Sequence, residues 1–229
     1  EGIDPAVRKG IDEAIERLKK IGFAFKEISL PHTKYALSCY YIIVPAEVSA
    51  NLARLDGVRY SRIRDTNLRI NTNDTSDKSE EGISALEKIY FENRGEGFGR
   101  ETRRRVFLGA FVLSHGYYDA YYTKAQKVRR LIKDNFEKAF DKVDVILTPV
   151  TPTLPFRLGE KTSDPLSMYL SDVLTIPASL AGLPAISIPI KKYKVGGGEL
   201  PVGFQLIGRH FREADILAVG KRYEGEELG

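Results

Sequence analysis

Val7, Ile11, Ile15 and Leu18 recur at helical spacing behind Asp4-Pro5, a side-chain cap followed by a first-turn proline. This predicts an amphipathic helix ending near Gly22. Phe23, Phe25, Ile28 and Leu30 read as a short strand stopped by Pro31. Helix then strand is the grammar of an α/β layer. Tyr40 to Val44, then Ala46, Val48, Leu52 and Leu55, predict a helix within His32 to Leu55, kinked at Pro45. Asp65 to Gly82 is polar and reads as a surface loop. A short helix, Ile83 to Asn93, leads into Gly95, Gly97 and Gly99.

Arg100 to Lys142 is helical by pattern, but Gly109 and Ser114-His115-Gly116 interrupt it, so two helices are expected. The second, around Asp119 to Lys142, aligns Tyr122, Ala125, Val128, Leu131, Ile132, Phe136 and Phe140 on one face. Val143 to Leu147 reads as a buried strand ended by Pro149, followed by a proline-rich loop and a helix near Pro165 to Leu174. Strands Ala185 to Ile190 and Val202 to Ile207 flank Gly196-Gly197-Gly198, which predicts a hairpin. A final helix runs from about Glu213 to Tyr223.

Composition narrows the class. With 42% apolar and 29% charged residues the balance is that of a soluble globular chain, and 12 Tyr and 11 Phe supply a sizeable core. Cys39 is the only cysteine, which excludes an internal disulfide or a thiolate metal cluster and fits a reducing, cytoplasmic setting. No apolar run approaches the roughly 20 residues needed to span a bilayer, and no secretory signal opens the sequence. The net charge is +4; Arg103-Arg104-Arg105 could suggest RNA contact, but no basic stripe dominates. The chain begins at Glu1 rather than Met and enters a helix at once, which reads as a cut, with proteolytic processing as the alternative.

A search for chemistry finds no nucleophile. There is no G-x-S-x-G elbow, no serine beside a histidine or lysine base in a glycine-rich turn, and no metal-ligand spacing. His32, His115 and His210 lie in unrelated contexts and read as surface or capping residues. What remains is polar density inside apolar segments. Gly116 to Tyr122 holds four Tyr and Asp119, which reads first as helix-pair packing capped through Asp119. Asp172 sits among apolar neighbours in the expected helix and should be paired, because an unpaired buried carboxylate is costly. Arg105 leads into Val106-Phe107-Leu108, as a partly buried arginine or as the end of an exposed basic run.

Several stretches resemble the A subunits of the glutamyl-tRNA(Gln)/aspartyl-tRNA(Asn) amidotransferases, within the amidase-signature superfamily. They include Tyr40-Tyr41-Ile42-Ile43, Asn51-Leu52-Ala53-Arg54, Asp56-Gly57-Val58-Arg59-Tyr60, Gly97-Phe98-Gly99 and Arg104-Arg105. They continue with the Tyr-rich run Gly116 to Tyr122, Lys124-Ala125-Gln126-Lys127-Val128-Arg129, and Ala181-Gly182-Leu183-Pro184-Ala185-Ile186-Ser187. The resemblance covers nearly the whole chain. It implies an α/β fold, the C-terminal half of an amidase-signature fold with a mixed sheet flanked by helices, residues 1–229 being part of a single amidase domain. The family's catalytic Ser–Ser–Lys set belongs to the N-terminal half and is not found here, so the chain alone should be inactive.

The resemblance further implies that Tyr40, Arg105 and Asp172 bind glutamine. An arginine fork suits the α-carboxylate, Asp the α-ammonium, and a Tyr hydroxyl completes the cage. The whole enzyme would release ammonia from glutamine to amidate misacylated Glu-tRNA(Gln) or Asp-tRNA(Asn). Its partners would be a tRNA-binding B subunit plus a small C subunit, with ATP and magnesium used at the partner, no cofactor in this chain, and tRNA contacted mainly through the partner. A stand-alone amidase acting on another amide, or a scaffold docking partner subunits, are the competing readings. Departures from the family pattern fall at Ser38-Cys39, His115, Ser179 and an apparent insertion at Asn71–Glu81.

Overall fold

The structure, a computed structural model, describes residues 2–55, 85–195 and 198–225. The polar stretch at 65–82, the 56–60 segment, the Asn71–Glu81 insertion and Gly196-Gly197 of the expected turn lie outside them. The chain divides into two compact units, Glu1–Tyr40 with Ala125–Gly229, and Tyr41–Lys124.

In the first unit, helix α1 (Pro5–Lys20) starts as the sequence predicts: the Asp4 carboxylate accepts from the Ala6 N–H, and Pro5 occupies the first turn. Its buried face, Val7, Ile11, Ala14 and Leu18, packs on three strands, β1 (Val145–Pro149), β2 (Ala185–Val195) and β3 (Gly198–Gly208). The order is β1-β3-β2 and both pairings are antiparallel, so β1 and β2 run parallel with β3 between them. Helix α8 (Glu213–Gly225) adds Ile216 and Tyr223 to the same core, where the Tyr223 ring meets Phe204 edge-on at 5.0 Å. Arg17 stacks on the same tyrosine, its guanidinium carbon 4.2 Å from the ring centroid. The α/β class, with a sheet flanked by helices, is therefore observed, and the hairpin of β2 and β3 is longer than its apolar runs suggest.

Three expectations are corrected. Residues 23–30 form no strand: the Phe23 N–H turns back to the Leu18 carbonyl, and its ring packs on the core while Phe25 faces solvent. The apolar spacing there has no neighbouring strand to pair with among the described residues. Instead, Pro31–Tyr35 forms a 3-10 turn leading into helix α2 (Ala36–Leu52), which contains Pro45. The expected helix to Leu174 ends early, as α6 (Pro165–Leu170); a turn follows, then α7 (Ile176–Ala181), closed by Gly182 in the left-handed region at φ 72°. In α5 (Lys124–Phe140), Ala125, Ile132, Phe136, Ala139 and Phe140 are buried, but Leu131 points outward. Leu131 stands about 100° round the helix from Ile132, beyond the edge of the buried stripe at that turn.

The second unit contains α3 (Ala85–Gly97) and α4 (Arg100–Leu113). Gly109 does not interrupt α4 but lies buried within it; the break falls after Leu113, at Ser114 to Tyr117, where Gly116 has φ 84°. Gly109 is required by contact. A Cβ built there would collide with the Pro45 carbonyl oxygen and stand 2.5 Å from the Ser49 Cβ. Replacing an interior helical glycine by alanine ordinarily gains about 1 kcal/mol of helix propensity. Here Gly109→Ala should instead destabilise, by about 1–3 kcal/mol of overpacking, read as a lower midpoint in urea denaturation. A midpoint that rises would show that the two helices separate freely.

Candidate functional site

Asp172 occupies the turn between α6 and α7. Its main-chain carbonyl accepts from Thr175 N–H at 3.0 Å, Ile176 N–H at 3.1 Å and Thr175 Oγ1 at 3.1 Å. The expected burial and pairing of its carboxylate are corrected: the side chain is exposed, and among the described residues it has no ion pair. Water carries the charge, so no protein partner is needed. Beside it, Ser171 Oγ accepts a 2.8 Å bond from Lys161 Nζ, and the ammonium lies 4.3 Å from the Phe156 ring centroid. Ser171 and Phe156 line a small cleft together with Thr151, Thr153 and Gly203.

Tyr40 is half-buried on α2, one residue beyond Cys39. Cys39 is itself buried and donates its thiol to the Ala125 carbonyl at 3.2 Å. Burial pushes that thiol up to about 11, which rules it out as a thiolate nucleophile near neutral pH. His32 bonds Asn135, His115 is exposed, and His210 buries an Nε2 that has no hydrogen-bond partner among the described residues. Among the described residues no three or more His, Cys, Asp or Glu side chains gather where they could hold a metal ion.

In the second unit Arg105 is a partly buried arginine, its side chain 28% exposed. Its Nε donates to Glu101 Oε1 at 2.9 Å, and Arg104 grips the same carboxylate with two bonds of 2.8 and 2.7 Å. Arg103 turns back to the carbonyls of Phe98 and Gly95. The basic run is thus largely engaged in its own unit. Around it the apolar surface is open: Phe107 is 76% exposed, and the Phe111 ring lies tilted against Tyr117 at 4.3 Å between centroids. The Tyr-rich run is a π-helix, Tyr118–Thr123, rather than a buried packing stripe. Tyr122 donates to Glu47 at 2.8 Å, and Asp119 accepts from the Thr123 hydroxyl instead of capping a helix.

Of the three residues singled out by the sequence, Tyr40 and Asp172 therefore fall in the first unit, on separate elements, and Arg105 in the second. Sequence reasoning missed Glu101, although its positions three and four residues before Arg104 and Arg105 carry the signal.

A family profile described as Amidase matches residues 1–217. The chain belongs to the amidase family. Among curated relatives, the A subunit of the Glutamyl-tRNA(Gln) amidotransferase of Carboxydothermus hydrogenoformans is 52% identical over 98% of this chain, and that of Geobacillus kaustophilus 51% identical over the same share. The chain spans 42% of each of these relatives. Among solved structures, the A subunit of the Glutamyl-tRNA(Gln) amidotransferase of Thermotoga maritima superimposes with a TM-score of 0.64 at 35% identity, covering 96% of this chain and 39% of that one. The 6-aminohexanoate cyclic dimer hydrolase superimposes with a TM-score of 0.64 at 16% identity over 98% of this chain and 42% of its own, and shares the fold.

The ion pairs on α4 of this amidase chain are open to a direct check. The Arg104 bonds hold the Glu101 carboxyl down to about 2, opposed by partial burial and assisted by Arg105. A lowered folded-state value means that this contribution to stability is complete above the ordinary carboxylate range and is lost as pH falls through about 2. A carboxyl-carbon NMR titration should therefore find Glu101 ionised at pH 3, and Arg104→Ala should move its midpoint up. An ordinary midpoint in the unsubstituted protein would mean that these bonds do not persist in solution.

Proposed function

We propose that this chain is the glutamine-binding C-terminal portion of the glutaminase subunit of a tRNA-dependent amidotransferase, both units being parts of one amidase domain. The observation that carries the reading is identity of about one half, across 98% of the chain, to relatives named as the A subunit of Glutamyl-tRNA(Gln) amidotransferase. Side chains such as Leu158 and Phe211, standing almost wholly in solvent, support a chain that meets further protein surface.

In this reading Arg105 binds the α-carboxylate of glutamine through its guanidinium fork, with Glu101 fixing the Nε edge. The exposed Asp172 carboxylate takes the α-ammonium, and the Tyr40 hydroxyl supplies a further hydrogen bond. The chain orients the amide for a serine nucleophile carried by the other part of the enzyme. The resemblance assigns the catalytic serines and lysine to that other part, so this chain by itself should hydrolyse no glutamine. The ammonia passes to a tRNA-binding B subunit, held with a small C subunit, where ATP and magnesium serve the activation of misacylated Glu-tRNA(Gln) or Asp-tRNA(Asn). The setting is cytoplasmic.

In the full-length enzyme, Arg105→Ala should raise the KM for glutamine about 10- to 100-fold, the scale expected for losing hydrogen bonds to a charged group. Hydrolysis of a simple amide lacking the carboxylate should change little. Unaltered glutamine kinetics would remove Arg105 from the site. Failure of the assembled complex to amidate misacylated tRNA with glutamine and ATP would reject the amidotransferase assignment.

A further inference from the structure

Gln205 is a polar side chain in the middle of an apolar strand and is only 3% exposed. It stands opposite Thr148 on β1 and Ser187 on β2. Phe204 and Leu206, its neighbours along β3, join the core formed with α1 and α8. Strand alternation therefore sends Gln205 to the opposite face of the sheet. There its amide nitrogen donates to Leu174 carbonyl at 2.7 Å, Thr148 Oγ1 at 2.7 Å and Pro149 carbonyl at 3.2 Å. Two of these partners are main-chain carbonyls, which only accept, so the orientation of the amide is fixed by its surroundings. Thr148 completes the cluster by donating its hydroxyl to the Pro149 carbonyl at 3.2 Å.

Leu174 lies two residues beyond Asp172, inside the turn that Asp172 closes through Thr175 and Ile176. The turn is too short for a ladder of its own, and the Leu174 carbonyl precedes the first residue of α7. The Gln205 amide thus ties this turn to the paired strands β1 and β3. We propose that Gln205 is a positioning residue that sets the place of the Asp172 carboxylate, and so governs recognition of a substrate α-ammonium group. This deepens the glutamine-binding reading and rests on it. Gln205 touches no substrate; it acts through the Leu174 carbonyl.

The test compares kcat/KM for glutamine with kcat/KM for 4-carbamoylbutanoate, which is glutamine without its α-ammonium, in the full-length enzyme. Asp172→Asn should reduce the preference for glutamine, and Gln205→Leu should reduce it in the same sense, about 10- to 100-fold, as expected for a group displaced by an ångström. Gln205→Leu should leave 4-carbamoylbutanoate turnover within about twofold, since that substrate offers Asp172 nothing to bind. Equal losses on both substrates would overturn the proposal and make Gln205 a packing residue only. Thr148→Val, which keeps the shape and removes one acceptor of the amide, should shift the preference in the same direction by a smaller factor; it decides the matter if Gln205→Leu does not fold. If Asp172→Asn leaves the preference unchanged, the assignment of Asp172 falls and Gln205 with it. If Asp172→Asn shifts it while Gln205→Leu and Thr148→Val do not, the glutamine-binding reading stands and the positioning role alone is wrong.

Discussion

Strand β3 is covered on both faces, and that double burial constrains the rest of the first unit. Phe204, Leu206 and Ile207 are all nearly inaccessible, so a polar side chain among them must find its partners inside the protein. On one face the covering is ordinary apolar packing from α1 and α8. On the other it includes a carbonyl from a turn that no helix or ladder satisfies. One amide meets both demands, for a buried donor and an orphaned acceptor, and the two needs fix each other. The Gln205 amide thereby anchors the α6–α7 turn to the sheet.

The second unit is organised by a different constraint, backbone approach. At Gly109 there is no side chain between α4 and the Pro45 carbonyl of α2. Such close contact leaves little freedom to shift one helix along the other. The arginines at the start of α4 are therefore presented from a fixed axis, and Glu101 grips the Arg104 fork while accepting one bond from the Arg105 Nε.

Much of this is legible in the sequence. Asp4-Pro5 marks the start of α1, and the glycine run between two apolar stretches marks the hairpin, because caps and turns are local chemistry. Phe23 to Leu30 misleads because a strand exists only with a neighbour to bond, and the sequence of a segment does not say whether one is present. Gly109 misleads for the opposite reason: its low helix propensity is real, and tertiary contact overrides it. Asp172 and Arg105 stand out through family resemblance and their apolar flanks, but only the fold distinguishes their settings, one carboxylate left to water and one guanidinium already paired. Gln205 carries a visible signal, a lone amide within Val202 to Ile207, yet its partners lie 31, 56 and 57 residues away and no periodicity reveals them.

In the glutamine-binding reading, the Glu101 carboxylate also changes what kind of recognition Arg105 offers. Two arginines sharing one carboxylate present less net positive potential than two free ones, so distant anions are drawn in weakly. At contact range the balance shifts, because an arginine already held by a partner loses less further entropy when a ligand docks. In that reading the site discriminates by outline, favouring a planar oxyanion over any small ion of equal charge.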